Sequence, residues 1–291
     1  MVVTVTLNPA LDVTARTGRL RLGETNRLSE SVVNAGGKGV NAARAARVLG
    51  GEALAVGFAG GPAGELLLRL LAEEGLPHTF IRVPGGTRVN MKLLDAEGNM
   101  TELNGPGGAA GEDAYREART ALVRLCQPGT VFVLSGSLPP DAEPGLYGGL
   151  IRLLRGGGAK VVLDTDGEAL RLGVLAGPEI AKPNREEMRY VCRDAFDGLL
   201  VHSLDAEGVR FYGREGAWFI PALTVGNPSP AGAGDCMTGA LAYALDKELP
   251  FEEAALLSAA AAAAAVMTPG TNCPPRELVE DCRKRLTLTR V

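Results

Sequence analysis

The sequence predicts an α/β protein in which helices cover both faces of a mostly parallel sheet. Short β-branched runs alternate with longer helical patterns along the 291 residues, and such alternation is typical of parallel sheets. Two segments interrupt this alternation and predict a second, smaller sheet. Because the chain contains no linker, repeat or low-complexity tail, we expect one domain over residues 1–291.

The strands and helices of the main sheet follow from local composition and spacing. Strands are predicted at residues 2–7, 53–57, 131–135, 160–164, 179–182 and 198–203. Helices are predicted at residues 39–49, 64–74, 112–126, 144–154 and 167–172. The alanine-rich run 254–267 is too short and too weakly apolar for a bilayer span of about 20 residues. We therefore expect it to be a buried helix.

The two interrupting segments predict a β lid. Residues 11–34 are polar and β-leaning, and residues 87–104 have the pattern of a hairpin, with a strand at 88–95 and a turn at 96–99. We expect them to form a small sheet over the mouth of the main sheet, as a lid or a dimer surface. Lids commonly exclude water from phosphoryl transfer.

Composition excludes several classes of function. A net charge of −4 and a pI near 5.4 argue against a bulk electrostatic grip on nucleic acid or on an anionic membrane. The five cysteines show no CxxC spacing and there are only two histidines, so zinc sites, disulfide frameworks and Ser-His-Asp hydrolysis are not indicated. No signal peptide is apparent, and we expect a cytoplasmic protein that binds a small anionic ligand.

A glycine-rich turn at residues 227–235, ending in Gly234-Asp235, leads into a predicted helix at 236–245. Backbone N–H groups at a helix start lack helical partners and attract anions, so this turn can hold a phosphate. Asp235 has two interpretations, a base that takes a proton from a nucleophile or an ordinary N-cap.

A second glycine-rich turn, residues 34–41, carries Lys38 and also precedes a helix. It is not a P-loop, because Gly39 follows the lysine, and Met237 breaks a dinucleotide-binding GxGxxG pattern. In the lid, Arg88, Asn90 and Lys92 alternate and share one face, which is either the wet side or a phosphate-binding surface.

Ligands of such sheets bind outside the carboxyl ends of the strands. Polar residues follow several of the predicted strands there: Asn8, Ser135 and Ser137, Asp164, and Lys182 with Asn184. Asp12 follows closely after the first strand, where it could accept hydrogen bonds from sugar hydroxyls or simply stabilise a turn.

Six motifs in order give the chain its resemblance to a known family. They are Thr6-Leu-Asn-Pro-Ala-Leu-Asp12, Ala35-Gly-Gly-Lys-Gly-Val-Asn41, Thr87-Arg-Val-Asn-Met-Lys92, Leu134-Ser-Gly-Ser-Leu-Pro139, Lys182-Pro-Asn-Arg-Glu-Glu187 and Ala231-Gly-Ala-Gly-Asp235. The chain resembles the ribokinase-like (PfkB) carbohydrate kinases over nearly its whole length, in particular the branch with 1-phosphofructokinases and tagatose-6-phosphate kinases. This resemblance implies a three-layer α/β/α sandwich with a β lid, often shared across a homodimer, and phosphoryl transfer that uses ATP and Mg²⁺.

The resemblance also implies roles for individual residues. Asp235 matches the catalytic base, and Gly232, Ala233 and Gly234 match the anion hole. The implied substrate-binding residues are Asp12, Arg27, Gly37, Lys38, Asn41, Arg88, Asn90, Lys92 and Ser137, whose basic members hold the phosphate already on the sugar. The implied nucleotide-binding residues are Lys182, Asn184, Glu187, Ser203 and Gly208, with Glu187 meeting magnesium through water.

The expected reaction is the ATP-dependent conversion of fructose 1-phosphate to fructose 1,6-bisphosphate. Tagatose 6-phosphate and fructose 6-phosphate remain alternative substrates, because the motifs do not indicate which end of the sugar carries the phosphate. Three departures fall on the nucleotide side: Asp205 stands where the family has glycine, the connection 185–197 is short, and Cys236 replaces a common serine. They leave open a second class of function, a sugar-phosphate sensor with weak or no kinase activity.

Overall fold

A computed structural model describes residues 1–225, 232–268 and 273–291. The strands are β1 (Val2–Thr6), β2 (Ala10–Thr17), β3 (Leu28–Gly36), β4 (Ala53–Ala59), β5 (His78–Arg82), β6 (Arg88–Leu94), β7 (Met100–Asn104), β8 (Val131–Ser135), β9 (Lys160–Asp164), β10 (Ile180–Ala181), β11 (Leu199–Ser203), β12 (Gly208–Gly213), β13 (Gly216–Pro221) and β14 (Thr289–Arg290). The helices are α1 (Lys38–Val48), α2 (Gly61–Glu73), α3 (Glu112–Leu125), α4 (Leu146–Gly156), α5 (Gly167–Leu175), α6 (Ala233–Asp246), α7 (Phe251–Val266) and α8 (Arg276–Arg283).

The main sheet has ten strands in the order β14-β13-β12-β11-β10-β9-β8-β1-β4-β5. Strands from β11 to β5 pair in parallel, and β12, β13 and β14 add an antiparallel edge. All five residues of β1 are buried, which is typical of a parallel strand covered on both faces.

Helices form a layer on each side of this sheet, so the fold is the three-layer α/β/α sandwich that the sequence predicts. Side chains alternate between the two faces: Val2 belongs to the hydrophobic core that includes residues of α1, α2, α6, α7 and α8, whereas Val3 and Val5 belong to the core that includes residues of α3, α4 and α5. The expected buried alanine-rich helix is α7, whose alanines let it pack closely against α6.

The two interrupting segments form a four-stranded sheet in the order β3-β2-β6-β7. Strands β6 and β7 are the predicted hairpin, and β2 pairs in parallel with β6. The register places Asp12 opposite Asn90 and Thr14 opposite Lys92, so the polar residues of the lid share one face of this sheet.

Several elements differ from the sequence-based expectations. The short connection 185–197 holds two 3₁₀ turns, Glu187–Tyr190 and Arg193–Ala195, in place of an α-helix. Helix α2 begins three residues earlier than predicted, because proline suits the first helical turn. Strands β5, β12, β13 and β14 were not predicted, and β14 has only two residues. Among the helices that the structure describes, none is long and apolar enough to cross a membrane.

Candidate active site

A cleft of about 1080 Å³ lies between the carboxyl ends of the parallel strands and the small sheet. Every residue to which the family resemblance assigns a role lines this cleft except Arg27. Arg27 is exposed in the connection between β2 and β3, where its carbonyl accepts a hydrogen bond from Thr17. Its role in binding substrate stays a prediction.

The start of α6 forms one wall of the cleft. Gly232 precedes the helix at φ 82°, a left-handed conformation that glycine adopts without a Cβ clash. The first helical hydrogen bond runs from Cys236 N–H to the carbonyl of Gly232. The amides of Ala233, Gly234 and Asp235 therefore have no acceptor within the helix and can bind an anion. Ala231 and the turn before it, residues 226–230, lie outside the described residues.

Asp235, in the first turn of α6, is held by Asn41 of α1, whose Nδ2 donates to Oδ2 at 2.7 Å. Burial and the nearby carboxylate of Asp164 raise the pKa of Asp235 to about 6, against the opposing effects of Lys38, Asn41 and Lys182. A carboxylate with this pKa is ionised at neutral pH yet basic enough to accept a proton. Within the described residues its side chain does not act as an N-cap, since α6 has no side-chain cap hydrogen bond.

Asp164 joins three elements beneath the cleft. It ends β9 and is fully buried, with Lys38 Nζ at 3.2 Å, Lys182 Nζ at 3.3 Å and the hydroxyl of Thr238 at 2.6 Å. Burial opposes its ionisation, but the two lysines outweigh burial and hold the pKa of Asp164 below its ordinary value. It therefore stays charged and positions two ammonium groups next to Asp235.

Lys38 lies at the centre of the cleft, not at its lid end. Its Nζ contacts Asp164 and also lies 3.7 Å from Glu187 Oε1. Burial penalises its charge, but Asp164, Glu187 and Asp235 outweigh that penalty and raise its pKa. The expectation that Lys38 holds the phosphate already on the sugar stays untested, and its surroundings favour a group bound beside Asp235.

Asn184 and Glu187 form a hydrogen-bonded turn at the cleft wall. Asn184 Oδ1 accepts from the amides of Glu186 and Glu187, and Glu187 Oε2 accepts from the amide of Asn184 at 2.8 Å. These contacts leave Glu187 Oε1 facing Lys38. The spacing of asparagine and glutamate three residues apart is what allows this reciprocal pattern.

The lid end of the cleft combines cations with hydroxyl-binding groups. Asp12 accepts a hydrogen bond from Asn90 Nδ2 at 3.0 Å and lies 3.5 Å from Lys92 Nζ. Arg88 donates to the carbonyls of Asn8 and Gly105, and its burial lowers its pKa against the effects of Asp12 and Asp166. Within the described chain, Asn90 Oδ1 is buried without a hydrogen-bond partner, so it can accept from a ligand hydroxyl.

The opposite end of the cleft is apolar. Its lining there includes alanines of α7 and apolar residues of β12, β13 and the segment after β13: Val209, Ile220, Leu223, Val225, Ala259, Ala262, Ala263 and Val266. Such a surface fits a flat aromatic base. Ser203 and Gly208 stand at the edge of this region, beside a short 3₁₀ turn.

Asp205 occupies that turn at φ 53°, a left-handed backbone position that favours glycine. Its carboxylate is mostly exposed and lies 3.8 Å from Arg185 Nε, whose NH2 also binds Glu207 at 2.6 Å. The backbone thus keeps the conformation that a glycine would adopt there, and Arg185 partly offsets the added charge.

Two acidic residues of the site were not assigned a role from the sequence. Asp164 was noted only as the end of a strand, and its part in ordering two lysines depends on elements distant in sequence. Asp166 precedes α5, lines the cleft, and acts electrostatically on Arg88. The signal that could have found both is their position at the carboxyl end of β9, where Asp164 is the last strand residue and Asp166 follows two residues later, at the edge of the sheet where ligands bind.

The acidic residues of the cleft do not form a metal cage by themselves. Among the residues that the structure describes, no group of three His, Cys, Asp or Glu side chains could hold a metal ion. Magnesium is commonly held by one or two carboxylates together with waters and substrate phosphates. Glu187, which lines the cleft, fits that kind of shared site, whereas Asp164 is fully buried beneath it and already bound by Lys38, Lys182 and Thr238.

The fold and this cleft define a phosphotransferase: a helix-start anion cradle, a carboxylate of raised pKa and a cluster of lysines meet at the carboxyl edge of a parallel sheet. Residues 5–277 match the model of the pfkB family carbohydrate kinases. The chain belongs to this family.

Relatives and a solved structure resemble the chain over nearly its full length. It is 33% identical to a 1-phosphofructokinase of Vibrio cholerae, covering 99% of this chain and 96% of that protein. It is 34% identical to a 1-phosphofructokinase of Rhodobacter capsulatus, covering 99% and 97%. The structure of phosphofructokinase-2 from Escherichia coli in complex with fructose-6-phosphate matches with a TM-score of 0.89 and 28% identity, over 98% of both chains. The protein is a sugar-phosphate kinase.

Proposed function

We propose that the protein transfers the γ-phosphoryl group of ATP to the free primary hydroxyl of a ketohexose monophosphate, with fructose 1-phosphate as the preferred acceptor. One observation carries this proposal. Asp235, whose pKa is raised to about 6, lies at the anion cradle of α6 in a cleft that has cations at one end and an apolar pocket at the other.

The lid end of the cleft binds the sugar phosphate in this proposal. Arg88 and Lys92 hold the resident phosphate by charge-assisted hydrogen bonds, while Asp12 and the unpartnered Oδ1 of Asn90 accept from sugar hydroxyls. Anchoring the sugar at its phosphate directs the hydroxyl at the other end toward Asp235. Such positioning turns the encounter of two substrates into a step within one complex.

Asp235 then accepts the hydroxyl proton as the oxygen attacks the γ-phosphorus, and the bond from the γ-phosphorus to the β,γ-bridging oxygen breaks, so that ADP leaves. The amides of Ala233 and Gly234 stabilise charge on the transferring group, with help from Lys38, which Asp164 and Glu187 keep protonated. Asp164 also holds Lys182, whose Nζ lies 3.3 Å from Asp164 Oδ2. Glu187 would help to hold magnesium through water, and the ion would supply positive charge to the nucleotide phosphates.

The adenine of ATP fits the apolar end of the cleft. The alanines of α7 leave room for a flat ring, and Ile220 and Val209 add apolar surface to the lining. Ser203 and Gly208 line the same cleft as this pocket and Glu187, and we expect them to contact the nucleotide.

Relative turnover of three sugars tests the substrate. We expect the highest kcat/KM with fructose 1-phosphate, the substrate type named for the two curated relatives, and lower values with tagatose 6-phosphate and fructose 6-phosphate. A preference for unphosphorylated fructose would contradict the roles of Arg88 and Lys92, because nothing would then occupy their end of the cleft.

Replacing the base tests the mechanism. Asp235→Asn should lower kcat by about 10²- to 10⁴-fold, while sugar-phosphate binding measured by calorimetry stays close to that of the unaltered protein. Asp113→Asn, an exposed aspartate in a helix pair with Arg116, serves as the matched control and should leave turnover unchanged. Full activity of Asp235→Asn would exclude this aspartate as the base.

A second candidate function is a sugar-phosphate sensor that turns over ATP poorly. The observation that favours it is Asp205, a carboxylate in the lining of the nucleotide end. Tight binding of fructose 1-phosphate without formation of ADP would support the sensor. Formation of ADP and a bisphosphate in equal amounts would exclude it.

A homodimer through the lid is part of the proposal. The face of the small sheet opposite Asp12 exposes Val33, Val89 and Leu103, whose registers with β2 and β6 place them on one side. A second copy of the chain would cover these side chains. Sedimentation velocity tests this, and a monomer at micromolar concentration would contradict it.

A further inference from the structure

Arg44 is tied by hydrogen bonds to the residue that holds Asp235. Its NH1 donates to Asn41 Oδ1 at 2.7 Å, and Asn41 Nδ2 donates to Asp235 Oδ2 at 2.7 Å. Arg44 and Asn41 are three residues apart in α1, so their side chains meet on one helix face. Three side chains thus form a continuous chain from the helix to the proposed base.

We propose that Arg44 is a positioning residue for phosphoryl transfer, which fixes the amide of Asn41 in the one orientation that lets it hold the carboxylate of Asp235. This inference rests on the proposed role of Asp235 as the base. It assigns Arg44 no contact with either substrate.

The orientation follows from the donors and acceptors. A guanidinium has only donors and a carboxylate has only acceptors, so each can meet just one end of an asparagine amide. Arg44 takes Oδ1 and Asp235 takes Nδ2. If the amide of Asn41 turned over, its oxygen would face the Asp235 carboxylate and its NH₂ would face the guanidinium, and both contacts would become repulsive.

Arg44 is itself held from two further elements. Its Nε and NH2 bind both carboxylate oxygens of Glu74, at the end of α2, at 2.8 Å each, and NH2 also donates to the carbonyl of Ala35 in β3 at 2.8 Å. The planar fork of arginine meets these partners together, which a single lysine nitrogen cannot do. The side chain of Arg44 is 15% exposed.

The consequence is a change in the pH profile of turnover. Lys38, Asp164 and Lys182 are the other charged groups that act on Asp235, and the hydrogen bond from Asn41 lowers the pKa of its carboxyl. The charged partner of Arg44 is Glu74. The positive charge of Arg44 also acts on two nearby thiols, where it opposes the raised pKa of Cys236 and contributes to the lowered pKa of Cys273. When the amide of Asn41 is free to turn, Asp235 loses its donor and protonates at higher pH.

The experiment measures kcat against pH from 5 to 9, at saturating ATP and sugar phosphate, for four variants. Arg44→Met and Arg44→Lys should each raise the pH of the acid limb by about one unit, a tenfold loss of rate well below the midpoint, with KM within about twofold. Arg44→Lys keeps the positive charge, so an unshifted profile in this variant would assign the effect to charge and overturn the positioning role.

The other two variants test whether Arg44 acts on Asp235 through Asn41. Asn41→Ala should shift the acid limb to a similar extent, and the Arg44→Met, Asn41→Ala double variant should shift it no further. Additive shifts would show that Arg44 acts without Asn41 and would overturn the proposal. Arg47→Met, one turn along α1 at the carbonyl of Gly75, is the matched control and should keep the original profile.

Further measurements distinguish failure of this proposal from a folding defect and from a wrong assignment of the base. Should Arg44→Met fail to fold, Glu74→Gln keeps one of the two acceptors of the guanidinium and should give a smaller shift in the same direction; an unchanged profile there would count against the proposal. Full activity of Asp235→Asn would remove the proposed base itself. Inactive Asp235→Asn combined with unshifted Arg44 variants would refute only the role of Arg44.

Discussion

Replacing Asp164 with asparagine should destabilise the fold and make Asp235 a weaker base. Asp164 is fully buried between Lys38 and Lys182, at 3.2 and 3.3 Å. Asparagine keeps the shape but leaves Lys182, itself nearly buried, without a counter-charge. Breaking a buried ion pair from one side costs about 3 to 5 kcal/mol, or roughly 6 to 10 °C in Tm for a chain of this size.

The pH dependence of this loss has a defined sign. The pKa of Asp164 is lowered in the folded state, so its ionised form contributes stability above the unfolded pKa and loses it as pH falls through the folded value. The difference between Asp164→Asn and the unaltered protein should therefore be full at pH 7 and shrink below about pH 4. Urea unfolding of both proteins at pH 7 and below about pH 4 measures this difference in the free energy of unfolding.

The same substitution should shift the pH dependence of kcat toward lower pH. The carboxylate of Asp164 is one of the causes that raise the pKa of Asp235, and the lysines that remain lower it. In Asp164→Asn the acid limb of kcat should move down by about one pH unit, while the plateau falls because Lys38 and Lys182 lose their common partner.

Two results would refute this reasoning. The exposed Asp113→Asn should cost less than about 0.5 kcal/mol, and an equal loss in both variants would mean that the buried network contributes no stability. An acid limb that stays or moves upward in folded Asp164→Asn would mean that the two aspartates are not electrostatically coupled.

Three further predictions concern other parts of the cleft and the lid. Asp205→Gly should lower KM for ATP by up to about tenfold, a surface-charge effect, and lessen the strain of a residue at φ 53°; an unchanged KM from pH 6 to 8 would place the carboxylate away from the nucleotide. Arg88→Met should raise KM for fructose 1-phosphate about 10- to 100-fold by removing charge-assisted hydrogen bonds, with KM for ATP as the internal control. Leu103→Glu should shift sedimentation toward a monomer, because it places charges on the proposed dimer face; Val123→Glu, an exposed change on α3, should not.

The sequence alone indicates those features of the cleft that depend on a few consecutive residues. The glycine at 232 and the alternation of Arg88, Asn90 and Lys92 each depend on a few consecutive residues, and the structure places all of them at the cleft. In the antiparallel edge of the main sheet, β12 and β13 form a local hairpin that the sequence analysis did not identify. The last strand, β14, has two residues and pairs with a strand far earlier in the chain. Its existence depends on tertiary pairing, for which a short run carries no pattern.

Lys38 shows most clearly why local patterns do not determine electrostatic roles. The family resemblance assigns Lys38 to the phosphate already on the sugar, and this role stays a prediction. Its position in the chain is as predicted, but its partners Asp164 and Glu187 come from elements that begin more than a hundred residues later. These carboxylates keep it protonated beside Asp235, whereas the lid cations are held by Asp12 and by backbone carbonyls. The cleft therefore separates its cations into a central pair ordered by Asp164 and a lid pair ordered by the small sheet, and the proposed transfer reaction needs both.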